Sequence, residues 1–255
     1  MFPIMRYPFF VLAFSLAVMW LSARIGVSFR KRRHNAEEAE RDDFGVVVSA
    51  TLTLLGLIIG FSFSMASSRY DQRKNLEEAE ANAIGTEYVR ADFLPAADAV
   101  RVRTLLRNYL DQRILFYETP DDRRLRQIDA ATAQLETDLW SAVRAPAAAQ
   151  PTPVTAVVVA GMNDVLNSQG YTQAAWRNRI PSAAWGLLAI IAICSNLLIG
   201  YGARRGGAKA ILLIVLPLIV SISFSLIADI DSPRGGMVRV HPQNMTDLSQ
   251  SLQRH

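Results

Sequence analysis

Small and hydroxyl residues recur at helical spacing inside the longest uncharged stretch of this chain. The stretch runs from Phe44 to Ser68, FGVVVSATLTLLGLIIGFSFSMASS. At about 100° per residue, Ser49, Thr53, Gly56, Gly60, Ser64 and Ser67 fall on one face, with Leu57 and Phe61 at its flank. Two roles fit that pattern. Small residues let helix backbones approach closely in lipid, which is a packing role. The same residues leave room along a pore wall, where bulky Leu57 and Phe61 form a hydrophobic constriction that gates by dewetting. The pattern alone leaves both open.

No other constellation has the spacing that catalysis or metal binding needs. The chain has no GxGxxG, P-loop, HExxH or CxxC motif. His34, His241 and His255 are scattered through polar segments, so a His-based site is not expected. Cys194, the only cysteine, lies in an apolar run and reads as a small apolar residue; it allows no intramolecular disulfide. Asp121-Asp122 reads as a helix start and Glu77-Glu78-Glu80 as a solvated face. Asn196, also in an apolar run, is expected to hydrogen-bond to a neighbouring helix. The chain is not expected to be an enzyme, and no cofactor or metal is implied.

The elements that would hold the stripe are membrane spans. The 255 residues are 51% hydrophobic with a positive mean hydropathy, as expected when spans alternate with a water-soluble part. Phe44–Ser68 is long enough to cross a hydrocarbon core of ~30 Å as one helix. It passes without a Pro into RYDQRKNLEEAEANAIG, so one long helix, half in lipid and half in water, is predicted. The first span is about Pro8–Phe29. A cleaved signal peptide is its rival, disfavoured because Arg6 is the only basic residue before it and apolar residues continue past Arg24. The third span is about Ser182–Ala203, with Pro181 near its first turn. The fourth is about Ala208–Ala228, with a kink expected at Pro217 and neighbouring Ser side chains able to satisfy the freed carbonyl. The expected class is therefore all-α, with four transmembrane helices and a helical polar region between spans two and three. Residues 1–68 and 181–228 form two transmembrane hairpins, 69–180 the polar region and 229–255 a polar tail.

The polar region reads as helices throughout. Pro95 starts one with Val102, Leu105, Leu106, Tyr109 and Leu110 on a face. Thr119-Pro120-Asp121-Asp122 starts the next, with Pro at the first position, and Leu125, Ile128, Leu135, Leu139 and Val143 share its face. APAAAQPTP, Ala145–Pro153, reads as a linker, followed by a helix from Val154 towards Trp176. This region is expected to be a bundle continuing the membrane helices.

Charge excludes little. The net charge is +4, with 27 basic against 23 acidic residues. The basic and acidic groups of the polar region are interleaved, so nucleic-acid binding is not expected despite a pI near 9.5. Basic residues beside the spans are equally numerous on both sides, so the positive-inside rule does not orient the chain.

These residues also carry a family resemblance. Ile58–Tyr70, IIGFSFSMASSRY, resembles the second transmembrane helix of bestrophins, where a Gly-Phe pair is followed two turns on by an Arg-aromatic pair, here Gly60-Phe61 and Arg69-Tyr70. The chain is still more similar to the bestrophin-like bacterial membrane proteins, a family without an established function. It shares their GFxFSMAxxRYDxR core at Gly60–Arg73, their EEANAIGT segment, matched from Glu80 to Thr86 and reading AEANAIGT here, and their Arg179-Ile180-Pro181 lead into span three. It also shares their DxDxPxxGxxRV tail at Asp229, Asp231, Pro233, Gly236, Arg239 and Val240.

The resemblance implies a pentameric ion channel of the cell (inner) membrane, with the polar region in the cytoplasm. Its partners would be the lipid bilayer, further copies of the chain and small inorganic ions. The pore would be lined by Thr53, Leu57, Gly60, Phe61 and Ser64, with Phe61, Leu57 and Thr53 as an uncharged neck. Animal bestrophins bind calcium through a dense acidic cluster after the last span. The tail here offers only Asp229, Asp231 and, further on, Asp247, among Arg234 and Arg239, so no calcium gating is expected. The alternative is a non-conducting or stator-like scaffold or signalling subunit. Motor-type proton channels share the order of two spans, a helical region and two spans, but the spans here contain no carboxylate.

Overall fold

The computed structural model describes residues 8–32, 39–203 and 207–254. His34, His255, Arg6, Arg33, Arg204 and Arg205 lie outside them. Every extended element among the described residues is helical: α1 (Pro8–Arg32), α2 (Ala39–Arg90), α3 (Ala96–Glu118), α4 (Asp122–Ala149), α5 (Pro153–Arg177), α6 (Ser182–Gly202), α7 (Gly207–Asp231) and α8 (Gln243–Gln253). A short 3-10 turn, Ala91–Phe93, follows α2. Four of these helices are long and apolar enough to cross a membrane. The chain divides into two compact units.

The membrane unit comprises the segments up to Arg69 and from Arg179 to Arg239. In it α1 packs on both α6 and α7. The α1–α6 crossing depends on two glycines. A Cβ on Gly26 would stand 2.1 Å from the Leu197 carbonyl oxygen, and one on Gly200 would stand 2.0 Å from that of Ala23. Backbones this close gain the van der Waals packing that drives helix association in lipid. Asn196 sits fully buried in α6; its amide donates to the Ala192 carbonyl of its own helix at 2.8 Å and reaches Met19 Sδ of α1 at 3.4 Å. The expected cross-helix contact is therefore made to a sulfur, a weak acceptor. The serines beyond Pro217 do not cap the carbonyl it frees: Ser223 donates to Ile219 and Ser225 to the Pro8 carbonyl.

The polar unit comprises Tyr70–Asn178 and the segment from Val240. Its core is built from the faces expected in α3 and α4, with Val102, Leu106, Tyr109, Leu139 and Val143 all at 0% exposure. Pro95 caps α3 as expected. The α4 start is shifted by two residues. Asp121 is the cap, its carboxylate accepting from Arg123 N at 2.9 Å, so Pro120 precedes the helix instead of opening it. The linker expected at Ala145–Pro153 shrinks to Gln150–Thr152, because α4 continues through Ala149. Pro146 is tolerated near the helix end, where it forfeits a single backbone bond and is buried, and the alanines after it favour helix. α5 then opens on a capping box in which Thr152 and Thr155 each bind the other's backbone N–H, with Pro153 in the first turn.

Candidate functional site

The membrane part of α2 turns two unlike faces. Leu55, Ser62 and Ala66 are buried at 2%, 4% and 0% exposure. Counted around the helix, the opposite face carries Thr53, Leu57, Gly60 and Ser64, all exposed, with Phe61 beside them. Leu57 keeps 53% and Phe61 64% of its surface. A Cβ on Gly56 or Gly60 would meet nothing within 4 Å. The stripe is therefore not used for packing within the chain, and only 6% of this span's apolar window is buried, against 33–44% in the other three. Within this span Thr53 donates to the Ser49 carbonyl at 2.9 Å and Thr51 to that of Val47 at 2.7 Å. What the face presents is a row of small and hydroxyl residues and two bulky apolar side chains one turn apart. Such a surface can narrow a passage and exclude water, but it carries no charge to select an ion.

The ends of the spans are tied together in the same unit. Asp231, closing α7, accepts from Ile180 N at 3.1 and 3.2 Å and faces Arg69 Nη1 at 3.6 Å. One carboxylate thus joins the start of α6, the end of α7 and the last residue of the membrane part of α2. Asp229 accepts from Met237 N at 2.8 Å and Val238 N at 3.1 Å, folding the tail back on α7. Gly236 makes that fold possible. It holds φ +90°, and a Cβ there would stand 1.5 Å from Asp229 Oδ1. Ser225 Oγ donates to Pro8 O at 2.8 Å, so the start of α1 joins the same group of span ends. The two acids of the DxDxPxxGxxRV segment are thus structural acceptors. Among the described residues, no group of three or more His, Cys, Asp or Glu could hold a metal ion.

The polar unit holds the ionisable groups that sequence reading misplaced. Glu77-Glu78-Glu80 is not a solvated face. Only Glu78 is exposed, while Glu77 and Glu80 are buried at 1% and 0% exposure. Glu80 ion-pairs with the fully buried Arg113 and also accepts from Thr172 Oγ1 at 2.9 Å and Tyr117 OH at 3.5 Å. Arg113 stacks over the Phe116 ring at 4.4 Å. Glu77 caps a different helix: it accepts from Met245 N at 3.0 Å and Asn244 Nδ2 at 2.6 Å, satisfying the first turn of α8. Burial, then the Glu80 charge, pushes the Tyr109 and Tyr117 phenols well above their usual range, so both stay neutral. The signal was in the spacing. Arg73, Glu77, Glu80, Ile84, Glu87 and Ala91 alternate at four and three residues, a seam at heptad spacing, and all six are buried.

Comparison with known proteins identifies the scaffold. The family described as the Bestrophin-like domain matches residues 9–245. Among solved structures, a single-site variant of a bacterial bestrophin homologue from Klebsiella pneumoniae superposes with a TM-score of 0.68 at 14% identity, covering 95% of this chain and 96% of that one. The same homologue, solved by zinc phasing, gives a TM-score of 0.65 at 14% identity, with 96% of each chain covered. None of the curated proteins matches by sequence.

Proposed function

This chain belongs to the bestrophin-like family, and from that premise we propose that it is an oligomeric ion channel with its pore along α2. Thr53, Leu57, Gly60, Phe61 and Ser64 line the passage, and Leu57 with Phe61 forms its hydrophobic neck. The chain is a multi-pass protein of the cell membrane, with the polar unit in the cytoplasm. The observation that carries this reading is the open stripe of α2: five residues expected to line a pore from spacing and resemblance are all exposed in the protomer. A helix that packed its small residues inside the chain would have buried them. With the stripe facing outward, a water path along it forms between copies, and the resemblance to bestrophins makes that assembly a pentameric ring.

Planar-bilayer recording of the purified protein, with its oligomer mass measured in the same detergent, tests this. A ring-sized oligomer with unitary currents that rise in the Leu57→Ala, Phe61→Ala double variant supports the channel. Reversal potentials in asymmetric salt then identify the ion. A silent bilayer from a monomer or dimer removes the pore. If a second protein also copurifies in fixed ratio, the open stripe is a docking face for that subunit.

A further inference from the structure

Glu87 lies on the polar part of α2, nineteen residues past the end of the uncharged stretch at Ser68. It is 0% exposed in the polar unit, yet neither carboxylate oxygen has a hydrogen-bond donor. It faces α5 at Gly161, where a Cβ would stand 2.0 Å from Glu87 Oε2 and 2.3 Å from Arg90 Nη1. The missing side chain of Gly161 is thus the space that the carboxyl occupies. The charged groups facing it are Arg90 on its own helix and Asp164 on α5. Arg90 Nη1 is 4.0 Å from Oε2 and its side chain is partly exposed, so it supplies charge but no hydrogen bond. Glu80, two turns earlier on the same face, has three side-chain donors; Glu87 has none. A buried carboxylate without donors is costly, and the neutral acid is much less so.

We propose that Glu87 is a proton-binding site at the α2–α5 contact of the polar unit, protonated and seated over Gly161 at neutral pH, and that its ionisation loosens this contact. Burial pushes its pKa up from 4.5 to about 8; Arg90 draws it down by less, and Asp164 adds to the rise. The folded-state value lies above the unfolded one, so unfolding at neutral pH releases this proton. The stability linked to Glu87 is complete below about pH 4.5 and is lost as pH rises through about 8. Ionisation then places a second negative charge beside Asp164 and strengthens the pull of Arg90 towards solvent. The unit thereby responds to pH within the neutral to mildly alkaline range.

The test uses the full chain in detergent, with E87Q and G161A beside it. Glutamine keeps the shape of the neutral acid and does not titrate. Wild-type melting temperature is expected to fall between about pH 5 and pH 9, and that fall should be distinctly shallower in E87Q. Parallel curves for the two chains overturn the proposal. In G161A the new methyl displaces the carboxyl, so the wild-type pH dependence is again reduced; an unchanged dependence also counts against the site. Infrared spectra keep the proposal falsifiable if neither variant folds. A protonated-carboxyl band in the wild type at neutral pH that bleaches near pH 8 supports it. A wild-type chain without that band overturns it.

Discussion

The two parts of α2 bury opposite kinds of residue. In the membrane part, Leu55, Ser62 and Ala66 turn inward while Thr53, Leu57, Gly60, Phe61 and Ser64 stay open. In the polar part, Arg73, Glu77, Glu80 and Glu87 turn inward, each at 1% exposure or less. One continuous helix thus keeps a stripe of small and hydroxyl residues open in one part and turns four of its charged residues inward in the other. The reason is what each part must satisfy. Near lipid, an uncharged stripe costs little to leave unpacked and is free to meet another copy. In the polar unit, Glu77 and Glu80 are the acceptors that α8 and Arg113 require, so burying them completes other elements. Charge on a helix is therefore no guide to exposure when a facing helix supplies the partner.

The sharpest way to break this contrast is to cut the Glu80–Arg113 pair. Arg113→Ala leaves Glu80 buried without its cation and is expected to destabilise the polar unit by about 3–5 kcal/mol, read from denaturant unfolding. Glu80→Leu with Arg113→Met removes both charges at similar volume and should cost less than the single change. A single change that costs under ~1 kcal/mol would mean that the pair is not desolvated in solution. Next in size is Asp231→Ala, which strips the acceptor of the Ile180 N–H, shared by both carboxylate oxygens, and the Arg69 partner from the ends of α6, α7 and α2. A loss of about 1.5–3 kcal/mol is expected. Asp231→Asn should recover part of it, since the amide oxygen still accepts from Ile180. Chelator or added calcium should leave the Asp231 and Asp229 contacts unchanged, as judged by melting temperature, because both acids already serve backbone N–H groups.

Within the membrane part the contrast can be sharpened side against side. Ala66 is buried at 0% and Ser64, two residues earlier, is exposed. Ala66→Leu should overpack the interior and cost about 1–3 kcal/mol. Ser64→Leu should leave the protomer's stability within about 0.5 kcal/mol. Equal losses at both positions would mean that α2 is packed on both faces within the protomer, and the open stripe would be lost as an argument.

Much of this was legible in the chain. An uncharged run longer than a bilayer, a Pro at a helix entry and apolar residues at i, i+3 and i+4 report directly on elements, because each has a single physical cause. The four spans, α3, α5 and the faces of α3 and α4 follow from them. The stripe of α2 was legible as a pattern, but whether it packs is a property of three-dimensional neighbours. The charged seam was misread for the same reason. Glu80 looks like a solvated residue until Arg113, thirty-three residues on, is placed opposite it. The linker at Ala145–Pro153 failed on a competition between local signals, where the helix propensity of the alanines outweighed Pro146 near the helix end. In the tail, the spacing of Asp229 and Asp231 was visible, but their role depends on Gly236 taking a positive φ and turning Met237 and Val238 back to them.

The smallest expected effect on stability carries the most about function. Phe61 is the most exposed residue of the proposed neck, and its side chain contributes little to the protomer's own packing. Phe61→Ala should therefore change the unfolding free energy by no more than about 0.5 kcal/mol. Two measurements on this one variant, current and oligomer mass, separate the three uses an open aromatic can have. In a pore neck, truncation widens the passage and weakens dewetting, so current rises while oligomer mass holds. In a contact between copies, truncation removes buried area, so oligomer mass falls with protein concentration sooner than in the wild type. On a lipid-facing surface neither quantity moves. Ser62→Ala is the control on the buried side of the same turn: it should leave current and assembly unchanged. If Ser62→Ala alters current as much as Phe61→Ala does, the difference between the two sides of α2 does not bear on conduction.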